Sequence, residues 1–490
     1  MAYRNIREFL TMLEAAGRLR RIAKPVDHTW EVACLARWML QGLPEHERFG
    51  LLFEHVTGFD IPVMTAVLGA SRWNYAVALE TTPDGIHEKW VNALLHPIAP
   101  RVVAESPARQ VVGAGAEADL KAIPIPTWTP GKDAAPYITA TVITKDLETG
   151  KQNAATYRCM VADRNHLAIN LTPGRHGYLN YASWVRQGRP APFAIVVGAE
   201  PVVHLAAISN VPYGTDELTI AGGLKGEPVD VMRGRTGDLL VPANCEFIIE
   251  GEIPPDATAL EGNFGEFAGY MGGVQPKPLA TVTAISRRAD AIYYGYISQM
   301  PPSESTMIQS KSNEGLILKM LRHDHGETAV KDVAIDLTYG GLLAHCIVSM
   351  TPRDPDHAKR VGRLVAENTL LKRVTVVDED VDIRDPFHME WALNSRYNPA
   401  RDTIIIEHVT TGIILDPSVR MVEGKPVETG SKVVIDATEK TGAGDISLPP
   451  KDLMMKAKEV WDSLGLPPFE IPKRVRLVLD RAAERSRGHA

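Results

Sequence analysis

The chain has 490 residues, of which 44% are hydrophobic and 23% charged, with a formal net charge of −7. That length exceeds what one hydrophobic core usually serves, so two or three domains are expected. The composition is that of a soluble globular protein, and the acidic balance gives no footprint for nucleic acid or an anionic membrane surface.

At the N-terminus, Ile6, Phe9, Leu10 and Leu13 follow helical spacing and Gly17 sits where a C-terminal cap belongs, predicting an amphipathic helix. Charges run through this segment, so it does not read as a signal peptide. Further helices are predicted over 29–42 and 86–96, and "PVMTAVLGA" reads as a buried strand. Together they predict an N-terminal α/β domain over 1–120. The glycines of "VGAGAEAD" (112–119) lack the strand–glycine–helix setting of a dinucleotide site and read as loop. The proline-rich "IPIPTWTPGKDAAPY" (123–137) suits neither helix nor central strand and reads as a linker into a second domain.

From 138 onward, "ITATVITKD", "NAATYRCMVAD", "HLAINLTP", "FAIVVGAEP", "CEFIIEGEI", "LATVTAISRR" and "AIYYGYIS" are short β-branched runs between turn residues. They predict a barrel or sandwich over 121–315, interrupted by one helix at "GYLNYASWVRQG". From about 312, helical and strand patterns alternate, predicting a parallel-sheet α/β domain over 316–450. C-terminal helices are expected over 451–490. In "KDLMMKAKEVWDSLG" the residues Leu453, Ala457, Val460, Trp461 and Leu464 form an apolar stripe, which Gly465 and Pro467 stop, and a basic helix follows over 473–487. No apolar run approaches the roughly 20 residues that span a bilayer. Cys34, Cys159, Cys245 and Cys346 are scattered, which fits a reducing, cytoplasmic compartment.

Chemistry concentrates in the β-rich middle. In "ALEGNFGEFAGY", Glu261 and Glu266 are five residues apart. A regular strand or helix would separate them, so only an irregular, glycine-bent segment could turn both towards one point. "NAATYR" supplies Asn153 and Arg158, again five apart and on opposite faces of an ideal strand; His176 follows Arg158 by eighteen residues. "TDE" adds Asp216 and Glu217 ahead of an apolar run. Taken singly, each has a plain surface reading: an exposed cross-strand Arg, a solvated turn His, acids at a helix start. Taken together, Asn, His and Glu suit a divalent ion such as Mn²⁺ or Mg²⁺, and an Arg beside two Glu can hold one ionised while the other keeps a proton.

The segments "NAATYR", "TPGRH", "HLAAISNVPYGTDELTIAGGLKGEPVDV", "LLVPANCEFIIEGEI" and "EGNFGEFAGY" resemble, in order and spacing, the signatures of the UbiD family of reversible decarboxylases, and the likeness runs nearly the length of the chain. The resemblance implies an N-terminal α/β domain, a central flavin-binding split β-barrel and a C-terminal α/β domain with a terminal helix. It implies prenylated FMN as cofactor, anchored through Mn²⁺ (or Mg²⁺) with K⁺ nearby and supplied by a partner flavin prenyltransferase. Asn153, His176 and Glu217 fall on metal-ligand positions, and Arg158, Glu261 and Glu266 on the catalytic network. Arg175, Ser209, Asn210, Val211 and Pro212 fall on flavin-lining positions, and Lys432 on a phosphate position. Phe267, Met307 and Ile308 fall on the substrate pocket.

The implied reaction is non-oxidative, reversible decarboxylation of an aromatic, heteroaromatic or α,β-unsaturated acid through a covalent substrate–flavin adduct. Glu266 would be the proton donor and Glu261 the ionised partner of Arg158. The implied assembly is a homodimer or hexamer. Asn263 replaces a proline common in the family, which puts the rigidity of the loop in question. Ile308 stands where members acting on phenolic acids place a histidine, which leans away from a simple hydroxybenzoate. Two other readings stand beside this one: a flavin-free metal-dependent hydrolase with the glutamates as acid and base, and a non-catalytic flavin- or metal-binding assembly protein.

Overall fold

The structure is a computed structural model that describes residues 3–336, 345–409, 416, 418–422, 425–440 and 444–488. The chain divides into two compact units, one over Met1–Leu316 and one over Ile317–Asp336 and Leu342–Ala490.

In the first unit, helix α1 (Ile6–Ala15) buries Ile6, Phe9, Leu10 and Leu13, as their spacing predicts. Asn5 caps its start by accepting from the backbone of Arg7 and Glu8, and Gly17 leaves it at φ +68°. Strand β1 (Leu19–Ile22), helix α2 (Glu31–Gly42), β2 (Gly50–Phe53), β3 (Val63–Thr65) and α3 (Ile86–Leu95) follow. "PVMTAVLGA" is buried, but only Val63–Thr65 is strand, because Ala66 turns to φ +57° and breaks the ladder.

The proline-rich stretch is irregular, yet it is not a linker between separate bodies. Ile123, Ile125 and Trp128 are buried in a core cluster that runs from Ile6 to Ile308. Large apolar side chains hold the prolines inside, and burial outweighs their unsuitability for regular structure.

The central strands close into a barrel. Strands β4 (Tyr137–Lys145), β5 (Gln152–Val161), β6 (His166–Ile169), β7 (Ala191–Val197), β8 (Phe247–Ile253) and β12 (Gln275–Arg287) pair antiparallel in the order β8-β7-β4-β5-β6-β12, and β12 returns to β8. Closure leaves those six strands without an open edge. Helices α4 (His176–Val185) and α5 (Glu217–Lys225) follow β6 and precede β8. Between β8 and β12 come β9 (Thr258–Glu261) and the small ladder β10 (Phe264–Gly265) with β11 (Met271–Gly272). The N-terminal end of β12 pairs with β9, so that Glu261 faces Gln275 and Ala259 faces Lys277. The run "AIYYGYIS" leaves the barrel: only β13 (Tyr293–Tyr294) is strand, and it pairs parallel with β3.

Helix α6 (Glu304–Lys319) begins with a fully buried acid. Glu304 accepts from the backbone amides of Ala66 (2.7 Å) and Leu68 (3.0 Å) and from the Tyr294 hydroxyl (2.7 Å).

The second unit contains the sheet β14 (Val330–Ile335), β15 (His345–Met350), β16 (Arg373–Asp378), β17 (Thr403–Val409) and β18 (Gly430–Asp436), in the order β14-β15-β16-β18-β17. Helix α7 (His357–Asn368) joins β15 to β16, the crossover a parallel pair needs. The expected all-parallel sheet is corrected at its edges, where β14–β15 and β17–β18 are antiparallel. Helix α8 (Pro386–Arg396) follows β16; α9 (Lys451–Ser463) and α10 (Lys473–Gly488) end the chain. Among the described residues, no helix is long and apolar enough to cross a membrane.

Replacing Glu304 strands buried donors. Glu304→Ala is expected to lower the unfolding free energy of the first unit by about 3 kcal/mol, at roughly 1–3 kcal/mol for each unsatisfied group, read as a lower urea midpoint.

Candidate active site

The two glutamates of the glycine-rich loop do meet. Arg158, on β5, donates from Nε to Glu261 Oε1 (2.7 Å) and from Nη2 to Glu261 Oε2 (3.0 Å), a two-point fork. Its remaining Nη1 donates to Glu266 Oε1. Glu261 is the last residue of β9, after which Gly262 and Asn263 leave the ladder. The chain resumes as β10, and Glu266 follows at its end, with its amide bonded to the Tyr270 carbonyl (2.8 Å). That two-residue break changes the face, which a continuous strand cannot do.

The glycines act through space more than through unusual torsion. Neither Gly262 nor Gly265 has a positive φ; a Cβ on Gly262 would lie 2.1 Å from the Ala134 Cβ, and one on Gly272 would lie 2.7 Å from Glu266 Oε1. Asn263 also avoids the left-handed region. Its carbonyl accepts from the Ala134 amide (3.1 Å) and, with that of Gly262 (3.0 Å), from the Tyr137 hydroxyl. Asp133 bonds the amides of Thr129 (2.7 Å) and Gly265 (3.3 Å). The Phe264 ring lies under the Arg158 guanidinium at 5.1 Å. The loop is therefore pinned without a proline.

Burial sets the electrostatics. Glu261 is 1% exposed and Arg158 15%. Burial pushes the Glu266 carboxyl above its usual value; Arg158 pulls it down and neighbouring Glu261 adds to the rise. Burial draws the Arg158 guanidinium down, but its bonds to the two glutamates outweigh that and hold it up. A buried acid that favours its proton, fixed beside a permanent cation, is arranged to give up a proton to a bound molecule.

A second cluster draws on the other face of β5. The β4–β5 register is unbroken, so Asn153 and Tyr157 share the side opposite Arg158. Ala154 donates its amide to Glu217 Oε2 (2.8 Å), and Glu217 Oε1 lies 3.9 Å from His176 Nδ1. His176 opens α4 and Glu217 opens α5, so two helix N-termini meet β5 at Ala154 and Tyr157, one and four residues after Asn153. The Tyr157 hydroxyl accepts from the Gly177 amide (2.9 Å) and the Asn153 amide (3.5 Å). Asn153 Oδ1 is buried and, among the described residues, has no hydrogen-bond partner.

Arg175 is the N-cap of α4. Ser209, Asn210, Val211 and Pro212 precede α5; Ser209 donates to the Ala206 carbonyl (2.6 Å), Asn210 to Asn313 (3.1 Å), and Val211 is buried. Met307 and Phe267 are buried, and Ile308 lies in the core against Gly69. Lys432 lies in the second unit on β18, where its amine donates to the carbonyls of Ala366 (2.6 Å) and Thr369 at the end of α7.

Two participants were missed in the sequence: Tyr137 and Tyr157. Tyr157 could have been found by period-two alternation from Asn153. Tyr137 gave no signal, because its role rests on a contact with a loop more than a hundred residues away.

The closed barrel thus holds a carboxylate–guanidinium–carboxylate set on one side of β5 and an Asn–His–Glu cluster on the other. Models of the N-terminal, Rift-related and C-terminal domains of 3-octaprenyl-4-hydroxybenzoate carboxy-lyase match residues 10–94, 101–301 and 306–437. The chain belongs to the UbiD family. It is similar to an evolved dimeric form of the UbiD-class enzyme HmfF from Pelotomaculum thermopropionicum, solved with prFMN: 31% identity, TM-score 0.80, over 92% of this chain and 98% of that one. It is also similar to vanillic acid decarboxylase of Sedimentibacter hydroxybenzoicus in its closed form (27%, TM-score 0.82, 95% and 99%). A third likeness is to the 3,4-dihydroxybenzoic acid decarboxylase of Enterobacter cloacae (25%, TM-score 0.80, 93% and 100%).

Gly262→Ala forces Ala134 and the loop apart. Its stability cost is expected to be about 1–3 kcal/mol, with circular dichroism unchanged and carboxy-lyase turnover reduced at least roughly tenfold, since small displacements of positioned groups are costly.

Proposed function

We propose that the protein is a non-oxidative, reversible decarboxylase of an aromatic, heteroaromatic or α,β-unsaturated acid that works with prenylated FMN. The observation that carries this reading is the pairing of Arg158 with both Glu261 and Glu266 in a buried loop. Arg158 holds Glu261 through the two-point fork, which leaves Glu266 with one bond to Arg158 and a carboxyl pushed upwards by burial. Glu266 keeps a proton and delivers it to the carbon from which CO₂ leaves. The same residues run the reverse reaction by taking that proton back.

The Asn–His–Glu cluster fits a hard divalent cation. Among the described residues Asn153 Oδ1 has no partner, Glu217 turns Oε1 towards His176, and both helix starts favour an anion such as a phosphate. Asn153, His176 and Glu217 would hold Mn²⁺ or Mg²⁺ at the flavin phosphate, with K⁺ close by, and Arg175 and residues 209–212 would line the flavin. A bound prenylated flavin supplies the electron sink that an sp² carbon lacks when CO₂ departs. Phe267, Met307 and Ile308 would shape the acid's pocket.

Co-production with a flavin prenyltransferase, followed by a screen of such acids for CO₂ release, tests this reading. Release is expected only with the prenyltransferase present, and Glu266→Gln should lose both release and solvent-deuterium exchange into the product, by roughly a hundredfold or more. Full activity without flavin would favour the metal-dependent hydrolase instead.

The reading includes a homodimer, possible as the unit of a hexamer. Helix α9 leaves Val460 (55%) and Leu464 (67%) exposed on its apolar stripe, beside a Trp461–Phe469 ring pair. Val460→Lys with Leu464→Lys is expected to give a monomer by light scattering; an unchanged mass would place the interface elsewhere.

A further inference from the structure

Lys277 sits on the N-terminal end of β12, opposite Ala259 of β9. Ala259 and Glu261 are two apart on that strand and share a face, so Lys277 and Glu261 are diagonal neighbours on the same side of the ladder. Pro276 and Pro278 flank it, and both paired positions hold its backbone extended. The side chain is 7% exposed. It interacts electrostatically with Glu261, Arg158 and Glu266, yet among the described residues no group bonds or pairs with its amine. Burial draws that amine's pKa down while Glu261 pushes it up.

Lys277 is 7% exposed as a residue and, among the described residues, its amine has no bonded partner, which leaves its donors open to an anion. Charge counting says which anion. Asp133, at the same loop, is held by the amides of Thr129 and Gly265, and burial raises its carboxyl pKa. Within the set that Lys277 itself interacts with, Glu261 and Glu266, when ionised, balance Arg158 and Lys277. When Glu266 carries the proton it must deliver, the cluster has one positive charge in excess. A carboxylate of single charge restores neutrality, and Lys277 is the cation whose donors are free for it, since the Arg158 fork is occupied by the glutamates.

We propose that Lys277 binds the carboxylate of the acid substrate and holds it beside the Glu266–Arg158–Glu261 network. The inference rests on the decarboxylase reading above. Carboxylate capture is then coupled to the proton on Glu266: the site attracts the acid when Glu266 is loaded and loses that attraction once the proton is delivered. The decarboxylated product has no carboxylate and makes no use of Lys277.

That last difference supplies the test. In the flavin-loaded holoenzyme, Lys277→Met and Lys277→Arg are compared with the wild type on the acid that releases CO₂ in the screen, and on solvent-deuterium exchange into its decarboxylated product. Lys277→Met should raise KM for the acid by roughly tenfold or more, the loss of one charge-assisted bond. Lys277→Arg should recover most of it, and exchange into the product should stay within about twofold of wild type in both. Thermal melting of Lys277→Met reports on folding separately. An unchanged KM overturns the proposal, as does a parallel loss of exchange and decarboxylation. If the wild type releases CO₂ from no acid, the decarboxylase reading fails and takes this inference with it; an active wild type with an indifferent Lys277→Met sinks the inference alone.

Discussion

Everything at the candidate active site hangs on one guanidinium. Arg158 has donors for two carboxylates and gives them unequally: a fork to Glu261, a single bond to Glu266. Two buried carboxylates so close would repel if both were ionised without a cation between them. The planar fork resolves this by fixing one as an ion pair and leaving the other poised. Other parts of the loop serve that arrangement: Tyr137 and Ala134 tie down the backbone at 262–263, Asp133 holds Gly265, and Phe264 lies under the guanidinium.

The barrel explains why two kinds of chemistry can share one strand. Strand β5 alternates, so Arg158 and Asn153 point to opposite sides. One side meets the glutamate loop; the other meets the starts of α4 and α5. Pairing with β4 and β6 fixes β5 on both edges, and the β9–β12 ladder carries Lys277 to the glutamate side. A strand with a free edge could slip by one residue and exchange the two faces.

Much of this was legible in the sequence, and the limits are physical. The awkward spacing of Glu261 and Glu266 demanded a break, and Gly262 with Asn263 provides it. The helix α1 stripe and the barrel strands followed from apolar periodicity. Asn263 looked like a weakness because rigidity was sought in its own torsion, whereas the structure places it in the Tyr137 hydroxyl and Ala134 amide. The proline-rich 123–137 looked like a linker because local propensity says nothing of where Trp128 and Ile125 will be buried. "AIYYGYIS" carries strand propensity, but nothing local tells a barrel strand from an addition to the N-terminal sheet. Lys277 escaped because a lysine in a strand ordinarily reads as surface; only its burial and its diagonal relation to Glu261 give it meaning.

The central claim is that burial favours the proton on Glu266, which Arg158 holds by one bond while its fork is taken by Glu261. Isotope-edited infrared difference spectroscopy of the glutamate carboxyl groups tests it most directly, recorded just above the ordinary glutamate titration range. A protonated carboxyl band that vanishes in Glu266→Gln and persists in Glu261→Gln is the predicted result. A band that vanishes in Glu261→Gln instead, or no protonated carboxyl at all, would contradict the account.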